Sequence, residues 1–339
     1  MRSLCLKVPK GKGEEIRKKL LEKGLLDIAL RVRREGEALL LPVISDEART
    51  LGHEVIEEEF EYIGMAHSDY KELVEVPEGL RPLLPTSFDV IGDIAIIKLP
   101  EELLPFSPSI GKALRESLPH IRTVAVDQGV KGEMRVRQLD VISGGPGTET
   151  THTEYGIRLL IDPAKAYFNP RLSNERKRVA SMVREGEIVV DMFAGVGPFA
   201  VMIAKHAKPE KVYAIDLNPA AVSYLKKNIE LNKVRNVEAK EGDAREIIKQ
   251  LPLADRIIMN LPHSALEFLP AALMRLKLGG MIHLYHICSR SEVEEAVKKL
   301  LQSALGMGHR VEVLRAEELK TYSPSMSVYA IDLRLAERV

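Results

Sequence analysis

Residues 309–335, HRVEVLRAEELKTYSPSMSVYAIDLRL, decide the fold. Two runs of alternating apolar and polar residues, HRVEVLRAEELKTY and MSVYAIDLRL, flank a short break at Ser323-Pro324-Ser325. Alternation with a period of two is the mark of a strand that turns one face to a core. No helical segment separates the runs, so they predict an antiparallel hairpin. Upstream, back to Tyr167, strand and helix patterns alternate. The strand patterns are EIVVDMF, KVYAIDL, NVEAKEGD, RIIMNLP and GGMIHLYHI. The helical ones are GPFAVMIAKHA, NPAAVSYLKKNIELN, AREIIKQL and SALEFLPAALMRLK, with RSEVEEAVKKLLQSAL before the hairpin. Such alternation builds a parallel, doubly wound sheet. Residues 166–339 are therefore expected to hold five parallel strands and an edge hairpin.

The 339 residues exceed one ordinary core, and two smaller units are expected before the sheet. Residues 1–62 read as a small α+β unit: a strand SLCLKVP, a helix GEEIRKKLLEKG, a hairpin around Glu35-Gly36, and an acidic helix closing the unit. Residues 63–85 end in a Pro- and Gly-rich stretch and read as a linker. Residues 86–165 read as a second α+β unit. Its strands are DIAIIKLP, TVAVDQGV, MRVRQLDVIS and EYGIRLLID, its helix is SIGKALRESLP, and GGPGTET is a loop.

Lys and Arg number 49 and so do Asp and Glu, which argues against bulk electrostatic binding of nucleic acid. The charge is uneven, however. Residues 1–34 carry eleven basic against four acidic side chains, and residues 35–61 one against nine. A local basic face can hold phosphate, and an amphipathic helix beside an acidic one gives the same pattern. The two cysteines, Cys5 and Cys288, form neither a disulfide framework nor a metal-ligand cluster. No apolar run is long enough to span a bilayer and no leader-like segment opens the chain. A cytoplasmic protein without membrane contact or metal is expected.

In open α/β sheets ligands bind beyond the carboxyl ends of the strands. The first such end is DMFAGVGPFAV, where Asp191 closes the strand and Gly195 and Gly197 turn into a helix. Glycine lets backbone approach a ligand closely. The spacing also serves dinucleotides, with Ala200 in the third position. Pro198, however, removes an N–H where a pyrophosphate wants a donor, so a ligand without phosphate fits better. The second end offers Asp216, an acceptor for ribose hydroxyls or a helix cap. The third offers Asp243, an acceptor for an adenine amine or a cap for AREIIKQL. The fourth is Asn260-Leu261-Pro262-His263, with Ser264 placed to cap the next helix. This stretch resembles the Asn/Asp/Ser-Pro-Pro-aromatic tetrad of methyltransferases that act on planar amino nitrogens, with Leu261 and His263 departing from it; the resemblance implies that the Asn260 amide oxygen and the following backbone carbonyl accept from such a nitrogen, with Pro262 stiffening the turn.

The five strands and hairpin resemble a class I S-adenosyl-L-methionine (AdoMet) methyltransferase, a Rossmann-like sheet, here preceded by two smaller α+β domains. More specifically, AYFNPRLSNERKRV, DMFAGVGPF, AIDLNP, EGDARE and NLPHSALEF, in this order, resemble the archaeal and eukaryotic tRNA (guanine-37 N1)-methyltransferase family. The likeness extends over nearly the whole chain. One departure is His263, where the family usually has Lys.

The resemblance implies AdoMet as cofactor, bound by Tyr167, Asp191, Phe193, Gly195, Gly197, Asp216, Asp243 and Asn260. It implies tRNA as partner, with guanine 37 of the anticodon loop flipped into the site and the N-terminal unit holding a remote part of the tRNA. No obligate protein partner is implied, and a monomer is. Methylation at N1 needs a base for its proton and a cation for charge developing on O6. Glu175 is implied as base and Arg135 as the O6 partner, with Arg137 ranked second; Asn260 orients the base and Pro262 shapes the pocket. The rival readings are C7-methylation of a tricyclic wyosine precursor, aminocarboxypropyl transfer on the same chassis, an RNA-binding protein with a relic cofactor fold, and a nicotinamide dehydrogenase. Product mass separates the first two from guanine methylation, AdoMet binding tests the third, and the terminal hairpin opposes the fourth.

Overall fold

A computed structural model describes residues 2–27, 30–60, 69–132, 134, 136–323 and 325–339. The chain divides into two compact units, Met1–Leu84 with Pro108–His120, and Pro85–Ser107 with Ile121–Val339.

In the first unit β1 (Arg2–Pro9), α1 (Gly13–Glu22), β2 (Arg33–Glu35), β3 (Ala38–Pro42) and β4 (Glu54–Glu59) build an antiparallel sheet in the order β2-β3-β1-β4. Ile16 and Leu20 of α1 pack on Leu6, Val8 and Leu41 of one sheet face. The hairpin expected at Glu35-Gly36 is present, with Gly36 at φ 56°. The acidic segment is not a helix. Residues 46–51 form a 3-10 turn and residues 54–59 pair with β1 as an edge strand. Only Val55 of that strand is buried and its glutamates face outward, an arrangement a helix pattern imitates over so few residues. Within the expected linker, α2 (Tyr70–Leu73) is a single turn capped by Asp69, and residues 61–68 lie outside the described residues. Cys5 is buried, and burial pushes its thiol up to about 11.

The second unit opens with β5 (Asp89–Ile91) and β6 (Ile94–Ile97). The chain then runs through α3 (Ser107–Ser117), which from Pro108 belongs to the first unit, and returns as β7 (Thr123–Lys131) and β8 (Val136–Gly144), completing a sheet ordered β5-β6-β7-β8. Next, β9 (Thr150–Glu154) and β10 (Ile157–Ile161) form a two-stranded ribbon. This corrects the sequence reading, in which the loop ran to Thr150 and the strand began at Glu154. Tyr155 at φ 43° and Gly156 at φ 80° are instead the turn of a hairpin. The polar run of β9 is strand because tertiary partners meet its buried side chains. Thr150 bonds Asp93 at 2.7 Å, and Glu154 bonds Arg176 at 2.6 and 2.5 Å.

The large sheet follows: α4 (Ser173–Met182), β11 (Ile188–Asp191), α5 (Pro198–His206), β12 (Lys211–Asp216), α6 (Pro219–Leu231), β13 (Val237–Glu241), α7 (Ala244–Ile247), β14 (Ala254–Met259), α8 (Ala265–Arg275), β15 (Leu276–Cys288), α9 (Val293–Gly306), β16 (His309–Ser323) and β17 (Met326–Arg338). The strand order is β13-β12-β11-β14-β15-β17-β16. The first five pair in parallel and β17 pairs antiparallel with both β15 and β16, as the hairpin reading expects. Alternate residues serve opposite faces. Val189, Val212, Ile258 and Tyr285 pack with α4, α5 and α6, while Val190, Ile215, Ile257 and Leu284 pack with α7, α8 and α9.

Two asparagines, Asn228 in α6 and Asn232 at its C-cap, stand in for a missing strand. Asn228 accepts from the Leu160 N–H at 2.7 Å and donates to its carbonyl at 3.0 Å; Asn232 does the same for Arg158 at 2.9 and 2.6 Å. Residues four apart share a helix face, and alternate strand residues point their backbone groups the same way, so the spacings match. The ribbon is thereby fixed to the sheet's helical layer.

Among the described residues no helix is long and apolar enough to cross a membrane, and no cluster of three or more His, Cys, Asp or Glu is placed to hold a metal ion.

Candidate active site

One pocket opens at the carboxyl ends of β11, β12, β13 and β14. Its floor is the glycine turn. Gly195 and Gly197 take φ values of 56° and 88°, which side chains disfavour. A Cβ on Gly197 would stand 2.3 Å from the Leu225 Cδ1, so that buried side chain would have to move to admit one. The turn is tied to the next strand by the Ala194 N–H, which donates to the Ile215 carbonyl at 2.8 Å. Pro198 begins α5, where it offers no N–H.

Asp216 holds the turn from the side. Its carboxylate accepts from the Gly195 N–H at 2.6 Å and from the Asn218 N–H at 2.8 Å, and it borders the pocket. Burial raises its pKa, and these two N–H groups work against that rise. The helix-cap role falls to Asn218, which accepts from the Ala220 N–H. Asp191 is wholly buried beneath the turn. Oδ1 accepts from the Phe193 N–H at 3.4 Å, and Oδ2 has no partner among the described residues. Burial, with the nearby Asp216 charge, pushes its carboxyl up to about 7.

One end of the pocket is apolar and aromatic. Phe193 meets Phe268 edge to face at 4.8 Å, and the Arg245 guanidinium lies over Phe268 at 4.8 Å. Asp243 is here, but its carboxylate caps α7 through the Arg245 N–H at 2.8 Å and grips the Arg245 side chain at 2.6 Å. That grip holds its pKa down. Both readings of Asp243 remain compatible with a carboxylate at the pocket wall, but the cap is the bond observed.

The other end is built by Tyr167, Asn260, Leu261, Pro262, His263 and the hairpin residues Lys320 and Tyr322. Asn260 makes no side-chain hydrogen bond among the described residues and faces the pocket. Leu261 departs from expectation. Its carbonyl accepts from both the Ser264 N–H at 3.1 Å and the Ala265 N–H at 2.8 Å, so both lone pairs are taken by the start of α8. Ser264 stands at the helix start without a capping side-chain bond. The Pro262 carbonyl accepts from Ile287 N–H at 3.1 Å, which pins the turn to β15. His263 meets the ring of Tyr322 at 5.3 Å.

Glu175 is not on the pocket wall. It is buried on α4, where Arg178 binds both its oxygens at 2.8 and 2.7 Å and the Tyr285 hydroxyl donates at 2.9 Å. Tyr285 shares a sheet face with Ile287, which does line the pocket, so Glu175 sits one layer behind the wall. Its neighbour Arg176 reaches the wall but is committed to Glu154 and the Asn169 carbonyl. Arg135 lies outside the described residues. Arg137, the second-ranked cation, is buried and held by Asp89 at 3.0 Å, Asp127 at 3.4 Å and the Phe168 carbonyl at 3.5 Å, and it is not among the residues that line the pocket.

Lys320 was missed by sequence reading. It makes no hydrogen bond or ion pair among the described residues, lines the pocket, and is driven down in pKa by burial, with Arg171 and Arg137 adding to that effect. A lysine on an edge hairpin reads as solvated; only its register opposite Val328, a pocket residue, puts it here.

Comparison with known proteins agrees over the whole chain. The family model described as the TRM5/TYW2 methyltransferase domain matches residues 150–314, a TYW2 N-terminal domain matches 70–148, and a tRNA methyltransferase 5 N-terminal domain matches 5–50. The chain is 45% identical to the tRNA (guanine(37)-N(1))-methyltransferase Trm5b of Pyrococcus abyssi, over 98% of this chain and 99% of that one. The crystal structure of that protein superposes with a TM-score of 0.74, covering 99% of this chain and 100% of the other. A complex of aTrm5 with tRNALeu superposes at 0.68 with 33% identity, over 98% and 99% of the two chains. The Methanocaldococcus jannaschii TYW2 structure with AdoMet superposes at 0.58 with 30% identity, over 75% of this chain and 100% of the other.

Proposed function

The chain belongs to the archaeal and eukaryotic tRNA (guanine-37 N1)-methyltransferase family, and from this premise we propose that it methylates N1 of guanine 37 in the tRNA anticodon loop. The observation that carries the reading is the end of β14. An unpartnered Asn260 and a pinned Pro262 border the same pocket as the glycine turn and Asp216.

The residues fit AdoMet. Asp216, which borders the pocket, offers acceptor capacity to a ligand, and buried Asp191 lies beneath the turn with its Oδ2 unbonded among the described residues. The aromatic end around Phe193 and Phe268 suits a planar base, with Asp243 beside it. The turn between Asp191 and Gly197, with no N–H at Pro198, suits a ligand without phosphate. Tyr167 covers the turn, its carbonyl within 3.4 Å of where a Gly195 Cβ would stand. Bound there, AdoMet supplies an electrophilic methyl group.

The chain's own residues supply orientation and proton transfer. Asn260 offers its amide to the guanine edge and Pro262 limits the space beside it. Glu175 is assigned the N1 proton on the family resemblance, a role generally worth about two to four orders of magnitude in rate; because it stands behind the pocket wall, the assignment requires that the entering base open a path to it. Two cations are assigned to the O6 side: Arg135, on the family resemblance, and Lys320, which faces the pocket without a partner. The nucleotide must leave its stack to enter, at a cost of a few kcal/mol. The small N-terminal unit, basic in residues 1–34, holds a remote part of the tRNA and raises the local concentration of the loop.

The test is incubation with AdoMet and unmodified tRNA transcript, followed by nucleoside mass spectrometry. One-methylguanosine is expected. A product retaining the aminocarboxypropyl group, or activity only on a tricyclic precursor, would replace the reading with a wyosine-type reaction.

A further inference from the structure

Behind the pocket wall lies a continuous chain of charges, buried at Glu175, Asp332 and Arg256 and partly buried at Arg178 and Glu187. Arg178 is shared between two carboxylates, Glu175 on its own helix and Asp332 on β17, which it meets at 2.8 and 3.2 Å. Asp332 is held in turn by His283 Nδ1 at 2.6 Å, and the Arg256 guanidinium meets His283 Nε2 at 2.7 Å. A guanidinium can only donate, so Nε2 is the acceptor and Nδ1 carries the proton given to Asp332. His283 is therefore neutral, as its complete burial also favours. Arg256 closes the chain on Glu187 at 2.8 and 3.0 Å.

The charges do not balance. Glu175, Asp332 and Glu187 oppose Arg178 and Arg256, leaving one negative charge in excess. Arg315 approaches Glu175 at 3.5 Å but is itself matched by Glu317 at 2.8 Å, and Tyr285 is neutral. Were Glu175 paired with Arg178 alone, protonating it would leave a partly buried cation without its counter-charge, which opposes the protonation.

We propose that Asp332 is a positioning residue for methylation: it retains Arg178 as counter-ion while Glu175 becomes neutral, so the cluster can take up one proton. The inference rests on the reading of Glu175 as base. In the step, the N1–H bond breaks, the electron pair stays on N1 for the new bond to carbon, and the proton joins a Glu175 oxygen. The cluster passes from one excess negative charge to none. His283 and Arg256 hold Asp332 in place and keep it ionised. Burial works to raise its pKa, but His283 and Arg178 hold it well below the usual carboxylate range.

The experiment is single-turnover methylation across pH with saturating enzyme, with AdoMet affinity and Tm measured alongside. In Asp332→Asn the excess charge is gone and Arg178 is left to Glu175 alone. Its acid limb should move down by about one pH unit, and the plateau should fall about ten-fold, since a weaker base remains. In Arg178→Gln the negative excess grows and the limb should move the other way. AdoMet affinity should hold in both. A limb that stays in place in Asp332→Asn, whatever the plateau does, overturns the proposal. If that variant does not fold, the direction of the limb in Arg178→Gln decides alone. Glu175→Gln is the control for the underlying reading: near-normal turnover there rejects Glu175 itself, whereas a crippled Glu175→Gln beside an unmoved Asp332→Asn limb rejects only the role of Asp332.

Discussion

The Tyr285 hydroxyl donates to Glu175 Oε1 at 2.9 Å, joining the fifth parallel strand to a helix 110 residues earlier. Burial and the facing carboxylate both raise the Tyr285 pKa, so the phenol remains a donor across the working range. A hydrogen bond given to a carboxylate favours its ionised form. In Tyr285→Phe the carboxylate loses that donor, and the acid limb of the methylation rate should move to higher pH. Stability should fall by about 1–2 kcal/mol. A limb that moves to lower pH would contradict this.

Asp216 receives two backbone N–H groups and faces the pocket. Asp216→Ala removes the acceptor and leaves the Gly195 N–H unpaired at the turn. AdoMet affinity should drop about 10- to 100-fold, the scale of losing hydrogen bonds to a charged group. Calorimetry showing unchanged affinity would displace the cofactor from this wall.

Asp191 predicts a pH dependence. Its carboxyl sits at about 7 in the fold against 3.8 when free. The fold therefore binds a proton that the unfolded chain has released. The stability this gives is fully present below pH 3.8, declines above it, and is lost as pH rises through 7. Asp191→Asn keeps the Phe193 contact without the titration. In the ligand-free protein the variant should gain Tm relative to wild type between pH 5 and 8. Parallel melting curves over that range would remove the buried charge from the account.

Asn228 is wholly buried, and its amide nitrogen also reaches the Val196 carbonyl at 2.9 Å, just before Gly197. Asn228→Ala leaves three backbone groups without that partner. A loss of about 3 kcal/mol is expected in denaturant unfolding. A change below about 1 kcal/mol would mean that water replaces the amide.

Lys320 faces the substrate end without a partner. Lys320→Met should lower the single-turnover rate about ten-fold or more while AdoMet affinity stays unchanged. Arginine at this position should recover part of the loss. Equal rates for Lys320→Met and wild type would leave the O6 side to Arg135 alone.

The large sheet was legible because its signals are local. Strand and helix periods alternate cleanly, and the two glycines with Asp191 mark the turn. The acidic strand at 54–59 was not, since one buried valine fixes no period. The polar strand at 150–154 needed Asp93 and Arg176, partners that no window around it contains. The same limit governs the site. Asn260 and Asp216 announce themselves at strand ends. The setting of Glu175 depends on Tyr285 and on Asp332, whose shared Arg178 is 154 residues from it in sequence. The Leu261 carbonyl could not be assigned from sequence either, because its availability depends on how tightly α8 begins.

The two margins of the large sheet share a property that bears on assembly. β16, the outer strand on one side, breaks register with β17 at four places and carries Glu312, Arg315, Glu317 and Lys320 along its length. β13, on the other, is five residues long and crowded by Glu238, Lys211 and Lys240. A straight, uncharged edge is a template on which a second chain can extend the ladder. Neither margin is one. The irregularity and charge of these borders guard the molecule against strand-to-strand coalescence with its own copies at high concentration.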